Sequence, residues 1–179
     1  NYKKNLKLLE NNHVYSTEME HDACGVGVIA STEGKKSRQI VEYGIEALKA
    51  VWHRGAVDAD GKTGDGAGIH VEIPKDFFIE KIEVTGHDYD NAEICVGMIF
   101  LPKNDYTAQE SCKTIVESEL TKNNFSIYGW RQVPVNPKVL GDKALQTMPE
   151  IIQVLFKSND NNLLDKKLER KIYETRKRI

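Results

Sequence analysis

Two hydrophobic rhythms alternate along this chain. Residues 26–30 place Val26, Val28, Ile29 and Ala30 in a short apolar run, which predicts a buried strand. Residues 69–73 alternate apolar and polar, which predicts a half-buried strand stopped by Pro74. Residues 94–101 form the longest apolar run, read as a central strand closed by Pro102. Residues 125–135, edged by Pro134 and Pro137, and residues 151–156, which follow Pro149, are two further strands. Helical spacing lies between them. Ser37 can cap a helix to about residue 52, with Ile40, Val41, Leu48 and Val51 on one face. A short helix is predicted over 76–82. A longer one over 107–120 turns Cys112, Ile115, Val116 and Leu120 to the core. Leu164, Leu168 and Ile172 fall four apart in a last, charged helix. Residues 53–68 are a Gly/Asp-rich loop, and the first 23 residues read as a surface leader patterned only by Leu6, Leu8 and Leu9.

This order does not fit an uninterrupted parallel βαβ series; mixed strands and helices fit an α+β or layered fold. With 179 residues, 40% of them hydrophobic, the chain is one domain or part of one, with enough apolar content for a core. A net charge of −2 gives no electrostatic case for a nucleic-acid partner. No apolar run reaches the roughly 20 residues of a membrane span. Lys3, Lys4, Lys7 and Glu10 leave no apolar centre for a secretory signal. Three widely spaced cysteines suggest no disulfide framework, and a cytoplasmic location is expected. His13, His21, His70 and His87 show no metal-binding spacing, so no metal is expected. The chain stops on Lys177-Arg178-Ile179 without a cap or breaker, as a cut chain would.

Candidate chemistry begins at Cys24, at the mouth of the first apolar run. Gly25 and Gly27 beside it remove side chains where something could approach the backbone. The stretch alone leaves two readings, a nucleophile and the small buried hydrophobe that most cysteines are. A second stretch bears on the choice: His53-Arg54-Gly55-Ala56, then Ala59-Asp60, then Thr63-Gly64-Asp65-Gly66-Ala67-Gly68. The glycine-rich part is no phosphate loop, because no lysine followed by Ser or Thr ends it and a strand pattern comes next.

Taken with Asp22-Ala23-Cys24-Gly25-Val26-Gly27, these motifs resemble the amino-terminal glutaminase domain of the glutamate synthase large chain. That domain is a class II glutamine amidotransferase of the N-terminal-nucleophile hydrolase type. The likeness continues through Gly129-Trp130-Arg131, Val133-Pro134-Val135, Leu140-Gly141 with Ala144 and Pro149, and Leu168-Glu169-Arg170-Lys171 with Arg176-Lys177-Arg178. It runs from about residue 20 to the end of the chain.

The resemblance implies a four-layer αββα sandwich of two antiparallel sheets, of which residues 24–179 are the front part. It also implies that residues 1–23 are a propeptide whose removal frees the α-amine of Cys24. Cys24 and Arg54 are the expected catalytic pair, with His53, Asp60 and Asp65 as supports. Arg54 read alone could equally cap the preceding helix or pair with Asp58 or Asp60. Asp65 is expected to hydrogen-bond loop amides beneath the cysteine. Cys95 and Cys112 are expected in the core, as is Trp130.

The implied substrate is L-glutamine. The implied partners are the remainder of a glutamate synthase chain and an electron-donor subunit or ferredoxin. The family's complete enzyme implies FMN and an iron–sulfur cluster, with no cofactor expected in these residues. The family's oxyanion-hole Asn-Gly, substrate-carboxylate arginine and amine-binding aspartate have no counterpart here, so the chain is expected to be inactive alone. The competing reading is a non-catalytic glutaminase-like module for assembly or regulation; Cys24 and Arg54 together argue against it. A third, an unrelated Cys–His thiol enzyme, would need His53 to face Cys24.

Overall fold

The computed structural model describes residues 2–12, 25–52, 55–64 and 66–179. It divides into two compact units. One holds Asn1–Asp58 with Gly64–Ile69, the other Ala59–Thr63 with His70–Ile179.

The second unit is built on a three-stranded antiparallel sheet: β1 (Cys95–Leu101), β2 (Phe125–Gln132) and β3 (Glu150–Ser158), in the order β1-β3-β2. Cys95 stands opposite Phe156 and Leu101 opposite Glu150, while Phe125 stands opposite Ser158. A bulge between Ile127 and Gly129 shifts the register of β2, and Gly129 takes φ +149° there, where a side chain would also meet Thr85. The long apolar run at 94–101 was expected at the centre of the sheet. It lies instead at an edge, and β3 is central. The reason is ladder geometry: β3 is paired on both sides and buries residues 152 to 156 in succession, whereas β1 leaves Met98 and Phe100 exposed.

Side chains alternate across β3 and so feed two cores. Val154 and Phe156 join Cys95, Phe125, Val116 and Leu120 of α4 (Tyr106–Lys122) and Leu168 of α6 (Asp165–Arg176). Leu155 faces the other way, with Ile94, Tyr128, and Phe78 and Ile82 of α3 (Lys75–Val84). Full burial of each such side chain stabilises by about 1.5–3 kcal/mol. Asp105 caps α4 by accepting the Ala108 N–H at 2.9 Å. Asn124, with φ +64°, ends the passage from α4 to β2 in the left-handed region that asparagine tolerates. Two expected core positions sit further out: Ile115 is exposed and Cys112 is half-buried. A 3-10 turn (Pro137–Val139) and the short α5 (Asp142–Thr147) precede β3; the sequence pattern did not reveal either.

The first unit contains α1 (Tyr2–Asn12) and α2 (Arg38–Ala50). α1 falls in the leader expected to be unpatterned; its Lys/Leu/Asn run contains no glycine or proline to stop a helix. In α2 the Ser37 hydroxyl accepts the Ile40 N–H at 3.4 Å, as its sequence predicted. Ile40, Val41 and Leu48 are half-buried, but Val51 is exposed. Gly44 leaves room for Ile69, whose Cδ1 lies 3.0 Å from where a Cβ would stand.

Two predicted strands are absent. Residues 26–30 and 69–73 are irregular, and Val26 is 92% exposed. Alternation supplies a face, but a strand also needs a neighbour for its N–H and C=O groups. Among the described residues neither segment has one. The described residues are thus mixed helix and strand, with a three-stranded antiparallel sheet in the second unit.

Candidate active site

Of the five residues expected at the site, Cys24, His53, Arg54 and Asp65 lie outside the described residues. Asp60 is described, as are Gly25, Trp52, Gly55, Gly64 and Gly66 beside the others. Gly25 and Gly27 have open space where a Cβ would stand, within 4 Å. Beyond α2, the Gly55 N–H donates to Trp52 O at 3.0 Å. Val57 and Gly64 then pair in an isolated antiparallel bridge that closes the neck of a loop. A Cβ on Gly64 would stand 2.9 Å from Ala56 O, so the neck is tight enough to require glycine.

Asp60 organises the tip of that loop. Its Oδ1 accepts the N–H of Lys62 at 2.8 Å and of Thr63 at 2.7 Å, and its Oδ2 accepts the Thr63 hydroxyl at 2.6 Å. Gly61 occupies the left-handed region at φ +67°. The Thr63 hydroxyl bond, the two backbone bonds and the charge of Lys143 hold the Asp60 carboxyl down at about 2. Asp60 is therefore ionised at neutral pH and acts as a scaffold, not as a proton carrier. Asp60 thus hydrogen-bonds loop amides; Asp65, of which the same was expected, lies outside the described residues.

The tip rests against Gly141. A Cβ there would overlap Thr63 Oγ1 and Asp60 Oδ2 and would stand 2.7 Å from the Thr63 backbone nitrogen. The sequence flagged Leu140-Gly141 only as part of a resemblance; its contact with the loop needed the fold.

The other singled-out groups are structural. Cys95 is buried, and burial, followed by the charges of Glu93 and Glu169, pushes its thiol up to about 12. It carries essentially no thiolate at neutral pH. Trp130 packs on the edge of the core and donates its indole N–H to Glu117 Oε1 at 2.6 Å. The Tyr128 hydroxyl donates to Asp90 Oδ1 at 2.6 Å, and Lys157 pairs with the same carboxylate. His87 lies edge-on to Tyr128, its Nδ1 3.2 Å from Thr85 Oγ1. Among the described residues no cluster of His, Cys, Asp or Glu could hold a metal, and no helix is long and apolar enough to cross a membrane.

Residues 24–179 match the family profile of the class-II glutamine amidotransferases, and the chain belongs to that family. Within it, the chain is similar to glutamate synthases. It is 51% identical over 178 residues to the large chain of the NADPH glutamate synthase of Azospirillum brasilense, covering 99% of this chain and 12% of the relative. It is 39% identical over 174 residues to the ferredoxin-dependent glutamate synthase of Pyropia yezoensis, covering 97% and 11%. With the NADH glutamate synthase of Saccharomyces cerevisiae it shares 40% identity over 149 residues, covering 80% and 7%. The chain thus spans 12% or less of the length of these relatives.

Proposed function

We propose that these residues are the glutaminase part of a glutamate synthase, with Cys24 as nucleophile. The observation that carries this reading is that the family match opens at residue 24, on the cysteine itself. Residues 1–23 act as a propeptide, and residues 24–179 are the front part of the amidotransferase domain.

An ordinary thiol titrates near 8.5 and a peptide α-amine near 7.7–8, so a chain beginning at Cys24 carries nucleophile and base on one residue. The amine takes the thiol proton, and the thiolate attacks the side-chain carbonyl carbon of glutamine. As the C–N bond breaks, the amine returns the proton to the departing nitrogen, releasing ammonia and leaving a glutamyl thioester. Water, deprotonated by the same amine, attacks the thioester; glutamate leaves and the thiol is restored. Arg54 beside the sulfur favours the thiolate and holds the cysteine loop. With the leader attached, the Cys24 nitrogen is an amide and cannot serve as base. Attack by Cys24 on its own preceding carbonyl is the route of cleavage we favour.

The ammonia passes to 2-oxoglutarate in the complete enzyme. The FMN and iron–sulfur cluster that the family implies, and the electron-donor subunit or ferredoxin, serve that second reaction. The four-layer sandwich belongs to the same proposal. The sheet with α4 and α6 on one face supplies two of its layers.

Replacing the nucleophile tests the reading. In the complete synthase Cys24→Ser should lower glutamine-dependent glutamate formation by at least about 10³-fold while leaving ammonia-dependent synthesis intact. Loss of both activities together would assign Cys24 a structural role.

A further inference from the structure

The sheet face turned away from α4 and α6 is covered only in part. Leu155 and Tyr128 pack with Phe78 and Ile82 of α3, but one step along the strands that cover ends. There Met98, Gln153 and Arg131 form a row across β1, β3 and β2. Met98 is 49% exposed, and Phe100, on the same face of β1, is 64% exposed. β1 is apolar on both faces: Val96, Met98 and Phe100 lie on this one, Cys95 and Ile99 on the other. A sheet face that meets water carries polar residues at its outward positions, whereas a strand apolar on both faces is buried on both.

Arg131 reaches this face through the bulge in β2. Phe125, Ile127 and Trp130 all pack on the α4 side, a change of parity that only an extra residue permits. Tyr128 is that residue, since the register passes from Ile127 opposite Phe156 directly to Gly129 opposite Leu155. Thr85 fills the space that Gly129 leaves, and its hydroxyl lies 2.7 Å from Tyr128 O. In an unbulged strand Arg131 would point to the α4 side.

The guanidinium is half-buried and held. Arg131 Nη1 donates to Gln153 Oε1 at 2.7 Å, and its Cζ lies 5.1 Å from the centre of the Phe77 ring. Gln153 is itself buried. Lys81, a second cation at that ring, is paired with Glu80. Among the described residues no carboxylate pairs with Arg131. Solvent satisfies its remaining donors only while the patch is open. A purely apolar cover would strand an unpaired charge, so the cover must bring an acid. Phe, Met and Arg are also the residues that interface cores favour.

We propose that this patch is a docking surface for an acid-bearing apolar segment of the synthase chain outside residues 1–179, which sets an Asp or Glu carboxylate on the Arg131 guanidinium. This rests on the glutamate synthase reading given above. The chain spans 12% or less of the matched relatives, so most of the polypeptide able to supply a cover lies outside it. The face is also the one that a four-layer sandwich leaves for its second sheet.

The test uses the complete glutamate synthase. Arg131→Lys is treated with a carbodiimide, which joins an amine to a carboxylate in direct contact, and the cross-linked peptides are mapped by mass spectrometry. The new amine should join an Asp or Glu outside residues 1–179 of the same chain, and the product should be absent from Arg131→Gln. A cross-link that ends within residues 1–179, on a separate protein, or nowhere would overturn the proposal. A second measurement needs no substitution. Peroxide oxidation of Met98 should be at least about fivefold slower in the folded synthase than in the urea-unfolded chain. A smaller difference, as for a side chain still half exposed, would also overturn the proposal. Neither readout uses catalysis, so a Cys24→Ser enzyme that still consumed glutamine would end the glutaminase reading and leave this test as it stands.

Discussion

In the second unit Leu155 and Ile82 are completely buried, whereas α2 in the first unit has no fully buried residue and Val28 is 86% exposed. The second unit holds itself together by two independent means. Cross-strand bonds tie β3 on both edges, and helices cover its two faces. The first unit has amphipathic and alternating segments but no ladder beyond the Val57–Gly64 bridge among its described residues. Of the residues expected at the site, Asp60 is described and belongs to the second unit. Catalytic groups often sit on loops that a firmer scaffold positions. Stability and activity should therefore separate by region.

The largest effect on stability is expected at Leu155. Leu155→Ala should cost about 2–5 kcal/mol in the denaturant unfolding of the 179-residue chain, since it leaves a cavity beneath a strand paired on both sides. A loss under about 1 kcal/mol would mean that the sheet is not the stabilising centre.

A smaller and pH-dependent effect belongs to Asp90. Lys157 and then the Tyr128 hydroxyl hold its carboxyl at about 2, below the ordinary value of 3.8. A depressed acid contributes its stability above the unfolded value and loses it as pH falls through the folded one. The contribution should thus be complete above about pH 5 and fade between about pH 4 and 2. Because the carboxylate is half exposed, it should amount to less than about 1 kcal/mol. The melting temperatures of the parent and Asp90→Asn should differ at pH 6 and converge as pH approaches 2. A gap that widens on acidification would reverse the assignment.

The smallest effect is expected in the other region. Val28→Ala should change stability by less than about 0.5 kcal/mol, as for an exposed position without special contacts. A cost near that of Leu155→Ala would erase the contrast between the units.

What the sequence disclosed follows the same division. β3, β2 and α4 were legible because apolar period and proline punctuation agree there, each within a few residues of its observed ends. The edge position of β1 was not legible, because a run of apolar residues records burial and not which strands flank it. Residues 26–30 and 69–73 show the opposite error: the apolar run of the one and the alternation of the other are real, but pairing depends on a neighbour that pattern cannot name. α5 lies in a stretch too short to show a helical period.

At the site, Cys24 and Arg54 stood out through the resemblance, not through spacing alone. The Asp60-Gly61 pair is an ordinary turn signal, which is the role the structure gives it. Gly141 was invisible as a contact because the meaning of a glycine there depends on residues 60–63, brought to it only by the fold.

The account stands most directly on the amino terminus of the active enzyme. Its mass and terminal sequence, measured on complete synthase purified from its native cell alongside its rate of glutamine hydrolysis, decide the question. A chain that begins at Cys24, with residues 1–23 removed, is the predicted result. A chain that begins anywhere else and still hydrolyses glutamine at full rate would contradict the amine of Cys24 as the base.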